Sequence, residues 1–265
     1  MKKEKFCIVI SKKDEAGINI LDSLKNLGIS TPIYITKEDS IFLEEKNEFW
    51  KQVKEDFVIF ATKHQGKQEK ILSIHAPGNW RKADFGGQEG KVCLSSSKIL
   101  KTFFQELNSN LPERWKATME ATHHGPLINK PCLFIEIGSN KENWKKKIAA
   151  EHIAKVIKDS VEKIQKENKE DKKFITAIAI GGPHYCPNFN KIQLNSKYEI
   201  SHVIPEYCLP LTKGMLEEAI NKTLEKENMN TIILDWKGCG KSEQRQQMID
   251  LIEKNNLKVI RTSEI

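Results

Sequence analysis

The sequence predicts an α/β protein with a largely parallel sheet. Short β-branched apolar runs alternate with longer segments whose apolar residues return at helical spacing, the pattern of strands joined by crossover helices. No internal repeat and no Gly-, Ser- or Pro-rich linker interrupts that alternation. The 265 residues are therefore read as one domain over 1–265, with 37–92 as the place for a smaller inserted lobe. Residues 37–56 and 78–92 are the expected long loops.

In chain order, strands are expected at 6–10, 32–35, 57–61, 70–75, 117–122, 132–137, 174–181, 231–235 and 257–261. Ile20, Leu21, Leu24 and Leu27 share a face and predict a helix over 15–27, with Gly28 as its C-terminal stop. A second helix follows Ser95-Ser-Ser-Lys98 and buries Ile99, Leu100, Phe103, Phe104 and Leu107. The longest covers about 142–168, with Trp144, Ile148, Ile153, Val156, Ile157 and Ile164 inward and His152 near the apolar face. Its other face is lysine-rich: residues 141–173 hold 11 Lys against seven acids, a solvated face or otherwise an RNA-contact surface. Helices at about 213–226 and 242–254 flank the strand at 231–235.

Composition narrows the class. Hydrophobic residues make up 38% and charged residues 30%, a globular balance. No apolar run approaches the roughly 18 residues of a membrane span, and Met1-Lys-Lys-Glu-Lys5 leads directly into Phe6-Cys-Ile-Val-Ile10 without a secretion signal. The six cysteines, at 7, 93, 132, 186, 208 and 239, lack metal-knuckle or redox spacing. They read as reduced thiols, and a cytoplasmic protein is expected. The net charge of +7 permits a polyanionic partner such as RNA without demanding one. Neither a membrane nor a protein partner is expected.

Chemistry collects where strands end. Apolar runs terminate at His75 before Ala-Pro-Gly-Asn-Trp80, at His123-His124 before Gly-Pro, and at Glu136 before Ile-Gly. Others terminate at His184 after Gly181-Gly182-Pro183, and at Asp235 before Trp-Lys-Gly. Ligands in open α/β sheets bind outside the carboxyl ends of the strands. The five segments are therefore expected to aim His75, His123 or His124, Glu136, His184 and Asp235 at one edge.

His123 and His124 are adjacent in extended backbone, so their side chains should diverge and one alone should do chemistry. Glu120 and Thr122 share a face. Glu136, between Ile135 and Ile137, suits a base of raised pKa, a metal ligand or a partner for a backbone turn. His184 and Tyr185 follow a tight Gly-Gly-Pro turn whose N–H groups can approach an anion or oxyanion. His202 and, more weakly, His64 are further candidates. Gly86-Gly87 and Gly238-Cys-Gly240 fit neither a P-loop nor a dinucleotide fingerprint, and no Gly-x-Ser-x-Gly elbow is present. Histidines and carboxylates converging on a cleft suit hydrolysis by activated water, with or without zinc.

Ile-His-Ala-Pro-Gly-Asn-Trp (74–80), Glu-Ala-Thr-His-His-Gly-Pro (120–126), Phe-Ile-Glu-Ile-Gly-Ser (134–139) and Gly-Gly-Pro-His-Tyr-Cys-Pro (181–187) occur in that order. With Asp-Trp-Lys-Gly (235–238) and Glu243-Gln-Arg245, the set resembles the archaeal and plant type of D-aminoacyl-tRNA deacylase from about residue 6 to 261. The resemblance implies a three-layer α/β/α fold with a mostly parallel mixed sheet, like those of phosphorylases and peptidyl-tRNA hydrolases. It also implies zinc-dependent cleavage of the ester between a D-amino acid and the 3′ end of tRNA.

On that basis His184, His124, Glu136 and Tyr185 are expected to be catalytic. His75, His123, His124, Glu136 and His184 would hold zinc, and Gly181, Gly182, Trp80, Asp235 and Lys237 would meet the tRNA acceptor end and substrate. Trp80, Tyr185 or Trp236 would stack on the terminal adenine or else pack in the core. The sequence departs from the family pattern at Pro183, where a third glycine stands, and at Asn188, where an arginine stands. Rival readings are a zinc peptidase or amidase of the same fold group and an RNA-binding module without catalysis.

Overall fold

The computed structural model describes residues 4–66, 70–166 and 174–265. In chain order the elements are β1 (Phe6–Ser11), α1 (Glu15–Asn26), β2 (Ile33–Thr36), β3 (Phe57–Lys63), β4 (Ile71–His75), β5 (Gly78–Asn79), β6 (Lys91–Val92), α2 (Ser97–Asn108), β7 (Lys116–Met119) and β8 (Cys132–Ile137). They continue with α3 (Lys141–Trp144), α4 (Lys147–Lys166), β9 (Ile175–Ile180), α5 (Pro187–Asn195), β10 (Tyr198–Ile204), α6 (Lys213–Asn221), β11 (Thr231–Leu234), α7 (Ser242–Lys254) and β12 (Lys258–Arg261). The end of the long helix expected at 167–168 lies outside the described residues. Among the described residues no helix is long and apolar enough to cross a membrane.

The strands form two principal sheets. One has the order β2-β1-β3-β8-β4-β7 and the other β10-β9-β11-β12, with β5 and β6 as a separate antiparallel ribbon. Pairing is parallel throughout both except between β4 and β8, which run antiparallel. Within 37–92, β3 and β4 are inner strands of the six-stranded sheet, and the irregular parts lie on either side of them.

Strand alternation decides what each sheet face meets. Ile8, Ile10, Ile59, Ala61, Leu133 and Ile135 turn toward Ile20 and Leu24 of α1, Leu100, Phe103 and Phe104 of α2, and Ile153 and Ile157 of α4. This core continues through Phe189 of α5 into Ile200, Val203 and Ile233 of the four-stranded sheet. That second sheet packs its other face, with Ile178, Ile180, Ile232 and Leu234, on Leu216 of α6 and Met248 and Ile252 of α7. The opposite face of the six-stranded sheet carries Cys7, Val9, Val58, Phe60, Cys132 and Phe134. It is covered by Leu43, Trp50 and Val53 of the 37–56 segment, which carries short 3-10 turns and no α-helix.

Three elements escape the sequence reading, and two residues of the expected apolar stripes, Leu27 and Ile148, turn out. The strand β10 alternates polar and apolar residues, yet all seven are buried, because Glu199, Ser201 and His202 enter polar contacts inside the molecule. The helix α5 starts at Pro187 directly after Cys186, whose left-handed backbone (φ 52°) turns the chain out of the glycine turn. The β5–β6 ribbon is two residues wide. Ile148, at the solvent side of α4, is 54% exposed.

One buried cation ties these parts together. Lys101, 2% exposed, donates to the carbonyls of Gln193 (2.7 Å), Ser196 (2.9 Å) and Tyr198 (2.9 Å). It thereby satisfies carbonyls at the C-terminal end of α5 and fixes α2, α5 and β10 together. Lys101→Met should cost about 3 kcal/mol, since buried carbonyls lose a charged donor while the apolar stem is kept. The midpoint of urea unfolding measures this, and an unchanged midpoint contradicts the assignment.

Candidate active site

The site is built on the loop-covered face of the six-stranded sheet and the turns above it. Glu136 on β8 pairs in register with Thr62 on β3 and Ser73 on β4, so the three share one sheet face. Thr62 Oγ1 donates to Glu136 Oε1 at 2.7 Å. His64 follows β3 directly, held by its N–H to Ile137 O (3.0 Å) and by Trp144 Nε1 on its carbonyl (2.9 Å). Its Nδ1 lies 3.5 Å from Glu136 Oε2 and 3.2 Å from Glu120 Oε1, while Nε2 meets the Tyr185 hydroxyl at 2.9 Å.

Glu120 stands on the segment that bridges the two sheets. Its N–H donates to Ile74 O (3.0 Å), the Ala121 N–H to His184 O (2.8 Å) and the Thr122 N–H to Val203 O (3.1 Å). The Glu120 carboxylate, buried to 1% exposure, receives His184 Nε2 at 2.9 Å and lies 3.5 Å from His123 Nε2. His184 Nδ1 in turn meets the Tyr207 hydroxyl at 3.0 Å. The rings of His75, His123 and His124 adjoin, with centroids 4.2, 4.8 and 4.3 Å apart.

These three histidines share one hydrogen-bonding habit. Nδ1 of His75 faces Ala76 O (3.2 Å), that of His123 faces Ala121 O (2.9 Å) and that of His124 faces Gly125 O (2.6 Å). A carbonyl only accepts, so each Nδ1 carries the hydrogen and each Nε2 keeps its lone pair. His75 Nε2 is buried without a hydrogen-bond partner, and Glu120 Oε1 has His64 Nδ1 beside it without a well-aligned hydrogen bond. Three sets bring their donor atoms within 4.8 Å of one another: His75 with His123 and His124, Glu120 with His123 and His184, and His64 with Glu120 and Glu136. Oriented imidazole lone pairs beside a buried carboxylate are a donor set that fits zinc.

Burial and charge divide the titrating groups. Desolvation, reinforced by neighbouring imidazoles, depresses His75 to about 3 and His124 to about 4, and it holds His123 well below the usual range. Desolvation also opposes charge on Glu120, but His184, His123 and His64 outweigh it and hold the carboxyl well below the ordinary carboxylate range. Glu136 goes the other way: burial, with the Glu120 charge nearby, raises it to about 7. His64 is raised to about 9, because Glu136 and Glu120 together exceed the burial penalty.

The structure corrects several expectations. His75 pairs with Phe134 in mid-β8 because β4 is antiparallel to β8, so the cluster occupies a sheet face and not one strand-end edge. His123 and His124 do not diverge, because β7 ends at Met119 and His124 is left-handed (φ 45°), which folds both rings toward His75. The Gly181 N–H is spent on Ile204 O (2.8 Å) and is not free for an oxyanion. Trp80, 3% exposed with its indole N–H on Val203 O, is packed away from any base.

Asp235, Trp236 and Lys237 line a separate pocket behind the 181–186 turn. Gly181 (φ +94°) and Gly182 (φ +74°) make that turn, and a Cβ on Gly182 would come within 2.8 Å of Asp235 Oδ2. Asn188 donates to that same Oδ2 at 2.9 Å. His202, bonded to Lys222 O, lies outside the cluster, and His152 joins α4 to Leu107 O.

Sequence reasoning undervalued His64 and did not choose Glu120. His64 obeys the same strand-then-histidine pattern as the residues that were chosen, and Glu120 precedes His123 in the same segment. Tyr207 carries no signal of its own.

Three neutral imidazoles, His75, His123 and His124, stand with a protonated His64 beside one ionised carboxyl and one that titrates near 7, a set of groups with the chemistry of a hydrolase that activates water. A family model described as D-aminoacyl-tRNA deacylase matches residues 51–260. Proteins named D-aminoacyl-tRNA deacylase from Thermococcus onnurineus and Pyrococcus abyssi are each 33% identical, covering 96% of this chain and 98% of theirs. The counterpart from Methanocaldococcus jannaschii is 28% identical over the same shares. A crystal structure described as a conserved protein of unknown function superposes with a TM-score of 0.87 at 28% identity, covering 100% of this chain and 98% of that one. The chain belongs to the D-aminoacyl-tRNA deacylase family.

Thr62→Val keeps the volume but strips the donor from the buried Glu136 Oε1. It should cost about 1–3 kcal/mol, read by chemical denaturation, whereas Thr62→Ser should recover most of that loss.

Proposed function

We propose that this enzyme hydrolyses the ester joining a D-amino acid to the 3′ end of tRNA, in the cytoplasm, with zinc held in the histidine cluster. The observation that carries the reading is the convergence of His64, His75, His123 and His184 on Glu120 and Glu136, with His124 beside His75 and His123, in a chain of this family. The orphaned His75 Nε2 supports the metal. His75, His123 and His124, or His123 and His184 with Glu120, would hold zinc, with Glu136 as the further candidate. Bound zinc supplies an acidified water and a Lewis acid for the ester carbonyl.

The chain's own residues supply the rest. Glu136, fixed by Thr62 and His64, is positioned to take a proton from the attacking water. His184, partly exposed between Glu120 and Tyr207, is the group that can hand a proton to the departing ribose oxygen. Tyr185 holds His64 in place through its hydroxyl. His124, on the other side of His75, is a metal ligand in this reading. Water adds to the carbonyl, the carbon–oxygen bond to ribose breaks, and free tRNA and the amino acid leave. An aminoacyl ester is already activated, so beside the metal a positioned water, a base and an acid are all that the protein has to add.

Matched D- and L-tyrosyl-tRNA, each with and without a chelator, test the reading. D-selective release that a chelator abolishes and zinc restores is expected, and no release from either ester overturns it. His184→Ala should lower turnover at least about 10²-fold. A folded variant with near-normal turnover contradicts that role.

A further inference from the structure

Behind the catalytic turn, the four-stranded sheet forms a second crevice that the chemistry above does not use. In the order β10-β9-β11-β12, the chain leaves β9 toward β10 on one side and enters β11 on the other. The carboxyl ends of β9 and β11 are therefore the point where strand order reverses, the place where open α/β sheets bind ligands. A pocket of about 500 Å³ lies there, lined among others by Asn188 and Lys191 of α5, Asp235, Trp236 and Lys237 after β11, and Ser263. Gly181 and Gly182 leave β9 and pack directly against Asp235. Only Pro183 separates Gly182, which packs on Asp235 of the crevice, from His184 of the cluster, so the Cα atoms of these two residues are at most roughly 7–8 Å apart.

The lining has the chemistry of an RNA-backbone contact. Lys191 and Lys237 are exposed at the pocket. The Arg261 and Arg245 guanidinium groups lie over Trp236, 3.8 and 4.6 Å from its ring centroid. Arg245 Nε is buried without a hydrogen-bond partner. The side-chain carboxylate in the lining, Asp235, is occupied by Asn188. Lysines, hydroxyls and amides in the lining, beside a Trp236 wall that carries the two arginines, suit recognition of phosphodiester and ribose with little demand on sequence.

The geometry points to this crevice as the seat of the single-stranded RNA backbone immediately upstream of the esterified nucleotide, its phosphates on Lys191 and Lys237. The inference rests on the deacylase reading above. The lysine-rich outer face of α4 is then a solvated surface and takes no part in tRNA binding.

The test compares the wild type, Lys191→Glu with Lys237→Glu, and Lys147→Glu with Lys155→Glu on α4. Readouts are the Kd of uncharged tRNA across a salt series, and kcat/KM on D-tyrosyl-tRNA and on D-tyrosyl-adenosine, which lacks the upstream phosphates. For the pocket variant, tRNA affinity should fall at least about tenfold, and the log–log salt slope should flatten by about 1.4 for two phosphate contacts. Its ratio of kcat/KM on D-tyrosyl-tRNA to that on D-tyrosyl-adenosine should fall about tenfold, while the α4 variant keeps the wild-type ratio. The crevice assignment is overturned by an unchanged Kd and ratio in the pocket variant, by equal loss on both esters, or by the loss appearing in the α4 variant instead. A wild type that binds tRNA but cleaves neither ester instead breaks the deacylase reading itself, and is told apart from those outcomes.

Discussion

A carboxylate with 1% exposure is the constraint around which the rest of this molecule is arranged. Moving Glu120 out of water costs several kcal/mol even after relaxation, and only close donors or positive charge offset it. The chain meets that cost by bringing the charged His64 and the His184 Nε2–H, from two separate turns, onto one side chain. A second acid, Glu136, stands within reach of the same His64, and two ionised carboxylates cannot share so dry a space cheaply. The outcome is a split: Glu120 stays charged and Glu136 rises to about 7. That inequality, more than any single residue, equips the site to move protons near neutral pH.

The same constraint explains why the two sheets are joined where they are. Glu120 sits on backbone whose N–H groups reach Ile74, His184 and Val203 in succession, so one short segment hydrogen-bonds to both sheets. A shift of either sheet would pull His184 from Glu120 or His75 from His123. Lys101 braces the arrangement from behind by holding the far end of α5, the helix that begins two residues after Tyr185. Site and scaffold are thus one network, and the site inherits the rigidity of two packed cores.

Much of the scaffold was legible because period and punctuation agreed, as at 99–107 and at 15–27, where the apolar stripes match buried helix faces except at Leu27, which is 40% exposed. Strand direction was not legible. Nothing local to Ile71–His75 says that it runs against β8, and that reversal moved His75 from an imagined edge onto a face. Nor was β10, whose Glu199, Ser201 and His202 look like solvent-facing residues until their buried partners are known. His64 was undervalued for a related reason: its carboxylate partners lie 56 and 72 residues away, beyond any window of local pattern. Position-specific chemistry at strand ends was readable, whereas long-range pairing of charge was not.

The departure at Asn188 shows how one neutral side chain can shift charge between two functions. An arginine there would neutralise Asp235 outright and hold a fixed cation at the mouth of the crevice. The amide satisfies one oxygen of Asp235 but leaves its charge in place. Positive charge at this crevice then has to come from elsewhere, and the chain provides it on flanking elements: Lys191 on α5, Lys237 after β11, Arg245 on α7 and Arg261 on β12. Stacking on Trp236 fixes the two guanidinium planes at little further entropic cost. The crevice keeps these cations on its rim, and the charge balance of the buried Glu120 and Glu136 is left to the imidazoles beside them.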